Sequence, residues 1–245
     1  MNRSLFVFTG LYEVTKEALM PQAGFHAIVG IASRRWMPKR EWLLLGLVLG
    51  NMFPDLDNLL VAYASLARLP NPEGYHRTFT HSLFTIVFMV LLFHVIAALT
   101  KKEKWKNFGI GFGAGILMHI LVDLVLWFNG VELLWPFGGE VNFWSWFITP
   151  GWLKILLDTG EFLAFGFYFL LLDSLAMRYS TDANLRGPSK TWAYIEFALF
   201  ALFTALFFLI GAKGLQYQAF GGLYLLLLVV AMVITTRMKA TIESI

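Results

Sequence analysis

Two ionisable residues stand four apart inside a long apolar run: His119 and Asp123 in Gly115–Leu126. On a helix they share one face, about 6 Å apart. A carboxylate at that depth in a membrane costs several kcal/mol unless it is paired or bound. Either the pair is a His–Asp hydrogen bond joining helices, or it is two metal ligands on one rigid helix. A second acidic pair follows a proline, in Pro54-Asp55-Leu56-Asp57. There one aspartate is expected to bind metal, and the other to orient a ligand or a water; either can also serve as a base. The bland alternative is a helix cap with a solvated carboxylate.

The third group is the string Tyr75-His76-Arg77-Thr78-Phe79-Thr80-His81-Ser82. It offers His76 and His81 as ligands, with His76 and Thr80 at helical i, i+4 spacing. Thr80 and Ser82 suit helix N-caps. The guanidinium of Arg77 matches a phosphate or carboxylate, or it simply snorkels to the interface. His26, near the start of a short apolar segment, is by itself more often structural; it gains weight because the other groups map to the same depth. His94 lies thirteen residues after His81, on another helical face and about 20 Å further in, and is set aside. With no cysteine, a metal here must be held by nitrogen and oxygen. That suits Zn²⁺ well, and Mn²⁺, Ni²⁺ or Fe²⁺ acceptably. Seven candidate ligands (His26, Asp55, Asp57, His76, His81, His119 and Asp123) exceed one tetrahedral site, so one or two ions are expected.

The elements that must position these residues are membrane helices. Of 245 residues, 58% are hydrophobic and 14% charged, with mean hydropathy +0.66. That is too little charge to cover a soluble domain. The fold class is an all-α, polytopic transmembrane bundle in a single domain. Residues 1–20 read as an amphipathic interfacial helix with no cleavable signal, since Glu13, Lys16 and Glu17 interrupt it. Residues 22–33 form a helix too short to span. An apolar stretch at 42–53 is broken at Pro54 and resumes at 59–68. Spans follow at 82–99, 108–128, 156–176, 192–212 and 217–236, with an aromatic loop at 129–151. Basic clusters at 34–40, 101–106, 178–190 and 237–239 fall on one side if the spans alternate. That side is expected to be cytoplasmic, which puts the polar site at the extracytoplasmic leaflet. Gly46/Gly50, Gly109/Gly113 and Gly111/Gly115 have the four-residue spacing of close helix packing.

His26, Pro54-Asp55-Leu56-Asp57, His76-Arg77-Thr78-Phe79-Thr80-His81-Ser82, His119-x3-Asp123 and Leu134-Trp135-Pro136-Phe137 together resemble the YdjM-like membrane-bound metal-dependent hydrolases. The likeness is drawn over residues 22–139, with 140–245 as additional helices. It implies a distant similarity to zinc-dependent phospholipase C and zinc nucleases, whose metals are held in part by a His-x3-Asp pair matched by His119 and Asp123. Those enzymes use further histidines downstream; this chain has none after His119, where Asp158 and Glu161, at the start of a span, are either oxygen ligands or interfacial charges near Lys154. The resemblance implies a hydrolase acting on a phosphoester of a lipid or lipid-linked substrate, with membrane lipids as partners and no nucleic acid. Two rivals are a transporter or metal-handling protein, and a scaffold that uses metal for stability alone. The sequence does not fix the oligomeric state.

Overall fold

The computed structural model describes residues 23–128 and 130–245; the amphipathic helix expected at 1–20 lies outside them. Regular structure among the described residues is helical, apart from one isolated bridge between Val131 and Val141 in the long loop between Leu126 and Gly151. In chain order the helices are α1 (Ala23–Ala32), α2 (Leu43–Met52), α3 (Asn58–Leu66), α4 (Leu83–Thr100), α5 (Glu103–Leu126), α6 (Gly151–Tyr179), α7 (Ala183–Ile210), α8 (Gly214–Arg237) and α9 (Lys239–Ser244). Six spans are long and apolar enough to cross a membrane, with α2 and α3 counting together as Leu43–Leu66. Their outward faces carry large exposed apolar side chains, such as Phe84, Phe88 and Leu91 on α4, which buries no residue at all. An apolar belt of that extent needs lipid around it.

Pro54 does not interrupt the first span as expected. The chain passes from α2 into α3 through one 3-10 turn, Pro54–Asp57, with right-handed helical backbone on both sides. Proline fits the first position of that turn, where its missing N–H has no partner to lose. The turn tightens the winding just where Asp55 and Asp57 project, so both carboxylates face the bundle interior. Elsewhere the helices outrun the expected spans. α5 begins at Glu103 rather than 108, and α7 begins at Ala183 rather than 192 despite Pro188. Polar first turns lower hydropathy without stopping a helix, and one missing hydrogen bond near a helix start does not end it.

α2 and α5 touch backbone to backbone. A β-carbon on Gly46 or Gly50 would run into the carbonyl of Phe108 or Phe112, and one on Gly111 or Gly115 into that of Leu43 or Leu47. This reciprocal approach holds the end of α2, and with it the aspartate turn, against the His119 face of α5. The other half of the bundle packs on rings, with Phe203 and Phe220 each touching the other and both Phe162 and Phe207 among α6, α7 and α8.

Two carboxylates from that second half cap helices of the first. Glu161 Oε1 on α6 accepts from Gly24 N at the start of α1, at 3.0 Å. Glu243 on α9 accepts from Trp42 N at 2.7 Å and Leu45 N at 3.4 Å at the start of α2. Both satisfy N–H groups that a helix start leaves unpaired. Burial pushes the Glu243 carboxyl upward from its ordinary pKa, and the two N–H donors partly offset this.

Candidate metal centre

Five side chains from four segments converge: His26 on α1, Asp55 on the 3-10 turn, His81 just before α4, and His119 and Asp123 on α5. All are buried. They form two groups whose ligand atoms lie within 4.8 Å of one another: His26, Asp55 and His119; and His81, His119 and Asp123. His119 belongs to both. Its Nε2 is 3.2 Å from His81 Nε2, 3.5 Å from Asp55 Oδ1 and 3.6 Å from Asp123 Oδ2. His81 Nε2 is also 3.6 Å from Asp123 Oδ2. His26 stacks on His119, with ring centroids 3.8 Å apart, and its Nε2 is 3.0 Å from Asp123 Oδ1 without hydrogen-bond alignment.

Hydrogen bonds behind the cluster fix the tautomers. His119 Nδ1 donates to the Asn51 carbonyl at 2.7 Å. His81 Nδ1 faces Asp57 Oδ2 at 3.2 Å and Thr80 Oγ1 at 3.0 Å. Thr80 in turn donates to Asp57 at 2.9 Å, so its oxygen is left to accept from His81. With each Nδ1 proton committed outward, the two Nε2 atoms face one another. When both rings are neutral these are two lone pairs at 3.2 Å, which repel unless a metal ion or a proton lies between them. Burial pushes the His81 imidazole down from its ordinary value, against the pull of Asp57, and so favours the neutral ring.

Three tests show that these residues fit a divalent cation. The first is spacing: bonds of 2.0–2.1 Å in a tetrahedron give ligand–ligand edges of about 3.4 Å, and the contacts around His119 run from 3.2 to 3.6 Å. The second is valence. Both oxygens of Asp55, both of Asp123 and both ring nitrogens of His26 are buried without a hydrogen bond, a state native proteins avoid unless another partner exists. The third is charge. When ionised, Asp55, Asp57 and Asp123 face one buried guanidinium, Arg77, so three negative charges against one positive leave two, which a single divalent ion neutralises.

Asp57 and His76, read from the sequence as ligands, stand one layer behind. Asp57 accepts from His76 Nδ1 at 2.8 Å, Arg77 N at 2.8 Å and Thr80 Oγ1 at 2.9 Å, with Asn58 Nδ2 at 3.4 Å. That nearly exhausts a carboxylate's capacity; Asp57 organises the histidine string. His76 then presents a buried Nε2 with no partner. The segment from His76 is not helical until Phe79, so the i, i+4 relation of His76 to Thr80 does not arise. Thr80 serves Asp57 instead of capping α4, a task that falls to Ser82, whose hydroxyl accepts from Thr85 N at 3.2 Å. Arg77 does not snorkel. It adopts left-handed backbone (φ 58°), which costs a non-glycine residue about 1 kcal/mol. That turn aims its buried side chain at Asp123, Nε to Oδ2 3.4 Å, while Nη1 makes no hydrogen bond.

His94 bonds the Val90 carbonyl of its own helix at 2.8 Å and stands apart, as expected. Asp158 and Glu161 join neither ligand group. Sequence reasoning did not find the Asn51 carbonyl, the capping role of Glu161, or Tyr224, whose buried hydroxyl has no hydrogen bond and lies within electrostatic reach of Asp55. A main-chain acceptor and partners more than a hundred residues away leave no local pattern to read.

Over 128 residues, half of this chain and 75% of the other, the protein is 33% identical to the uncharacterized protein YvsG of Bacillus subtilis (strain 168). No solved structure matches it. The model of the YdjM inner membrane protein family matches residues 21–241, well past the 22–139 segment on which the sequence resemblance was drawn, so the last three spans share in the family pattern. The chain is a multi-pass membrane protein that belongs to the YdjM inner membrane protein family.

Proposed function

We propose that the protein is a metal-dependent hydrolase that cleaves a phosphoester of a lipid or lipid-linked substrate. The observation that carries this reading is the coexistence of two ligand triads sharing His119 with a buried arginine whose Nη1 makes no hydrogen bond. His26, Asp55, His81, His119 and Asp123 would hold one or two ions, Zn²⁺ being the best match to nitrogen and oxygen at these spacings. A bound divalent ion supplies Lewis acidity, polarising a phosphoryl oxygen and acidifying water to a pKa of about 7. Arg77 Nη1 offers its hydrogen bonds to the phosphate. His76, its Nδ1 proton held by Asp57, has a free Nε2 with which to take a proton from water as general base. Asp57 thereby acts through His76 and His81 rather than on the substrate.

The basic clusters at 34–40, 101–106, 178–190 and 237–239 support an orientation with the site at the extracytoplasmic leaflet. Depth in the membrane supports a lipid over a soluble substrate. The test is turnover of lipid phosphates and phospholipids by the purified protein. Phosphoester cleavage lost on chelation and restored by Zn²⁺ is expected. Metal-dependent flux into proteoliposomes with no cleavage would overturn the reading in favour of a transporter.

A further inference from the structure

A groove of about 270 Å³ runs between α3 and α8. Its walls come from one face of each helix: Val61, Ala62 and Ser65 on α3, and Gln218, Gly222 and Leu225 on α8. The outer end is marked by Leu66, which is 86% exposed, next to Ser65 in the chain. The inner end differs. Asn58 lines it, and the same Asn58 amide donates to the Asp55 carbonyl at 3.0 Å and sits 3.4 Å from Asp57 Oδ1. Tyr224 lines it too, fully buried, with a hydroxyl that has no hydrogen bond and lies within electrostatic reach of Asp55, Glu161, Asp57 and Asp123. The groove is thus mostly apolar, with Ser65 and Gln218 among its walls, and Asn58 joins its inner end to the aspartate turn.

Gly222 keeps the channel open. A β-carbon there would meet nothing within 4 Å, so helix packing does not require glycine at that position. This contrasts with Gly46, Gly50, Gly111 and Gly115, where a carbonyl blocks any side chain. The absence of a side chain at 222 therefore leaves space rather than permitting contact.

We propose that the groove between α3 and α8 seats the hydrocarbon chain of the lipid phosphoester, with Asn58 and Tyr224 at the passage to the metal centre. The headgroup chemistry rests on the function proposed above; the chain's seat rests on the groove. An apolar chain enters from the membrane, loses contact only with other apolar chains, and delivers its one charged end to the cluster and Arg77.

The test uses the full-length protein in detergent micelles and a long-chain alkyl phosphate bearing a mid-chain diazirine. After photolysis, peptide mass spectrometry locates the label. Label concentrated on residues 58–66 and 217–225 is expected. It should fall about tenfold in Gly222→Leu, whose side chain takes the space and the close contacts the alkyl chain would have, and likewise in Ala62→Leu on the opposite wall, with thermal stability and metal content unchanged. Label spread over the lipid-facing surfaces of α4 and α7, or undiminished in both variants, would overturn the proposal. Phosphate release from the same probe separates the two ideas. A labelled groove without release keeps the seat and removes the hydrolase; release with an unlabelled groove does the reverse.

Discussion

α2 and α5 meet at glycines; α6, α7 and α8 meet at phenylalanines. Both halves are membrane helices with similar apolar content, yet only the first half carries the buried histidines. In lipid, helices gain little from apolar contact alone and rely on close fit. Rings keep the helix backbones further apart, and the polar groups there, such as Thr159, Thr204, Tyr168 and Thr235, bond in separate pairs and join neither ligand group. Glycines bring backbones together and let the ends of α2 and α5 present Asn51, Asp55, His119 and Asp123 to one small volume. The ring-packed half is not idle: it supplies Glu161 and Glu243, the carboxylates that cap α1 and α2. One half builds the centre, and the other holds the two helices that aim it.

This division can be broken at several points. The largest effect is expected from His119→Ala, which removes the one side chain common to both triads. Turnover of a phosphoester substrate should fall on the order of a thousandfold, since a catalytic metal is worth several kcal/mol; steady-state kinetics on the purified variant check this. Phe220→Ala, in the ring-packed half, should cost about 3 kcal/mol of stability in thermal unfolding. The metal per folded molecule should stay at the wild-type value, because no ligand sits on α8. Loss of metal at unchanged stability would erase the distinction between the halves.

A smaller loss of about 2 kcal/mol is expected for Gly115→Ala, whose new methyl meets the Leu47 carbonyl and the Asn51 amide region. Gly160→Ala on α6, where nothing lies within 4 Å, should be neutral in the same unfolding assay. The smallest effect sharpens the link between the halves. Glu161→Leu removes the acceptor for Gly24 N and should weaken metal binding about tenfold by loosening the helix that carries His26. Glu161→Gln keeps an acceptor oxygen and should restore it, as titration with Zn²⁺ would report; a direct ligand role for the carboxylate predicts no rescue.

Much of this was legible in the sequence because its signals are local. His119 and Asp123 share a helical face by spacing alone, and the spans declare themselves by hydropathy. The histidine string, the aspartate pair and His26 could be gathered by depth. What could not be read was the division of labour within the cluster. Asp55 and Asp57 are two residues apart and chemically identical, yet one keeps both oxygens free while the other is spent on His76, Arg77, Thr80 and His81. That difference depends on how residues 76–81 fold back over the 3-10 turn. Pro54 was misread because proline at the head of a 3-10 turn and proline that ends a helix look alike in sequence. Glu161 meeting Gly24, and Glu243 meeting Trp42, join segments more than a hundred residues apart, and no periodicity reports such a pairing.

The most direct measurement is elemental metal analysis of the purified protein beside His119→Ala and Phe220→Ala. One or two equivalents of zinc or a like divalent ion are expected in the wild type and in Phe220→Ala, and background levels in His119→Ala. Wild-type protein that stays metal-free after incubation with excess Zn²⁺ would contradict the account, because a shared proton, and not a metal, would then hold His81 and His119 together.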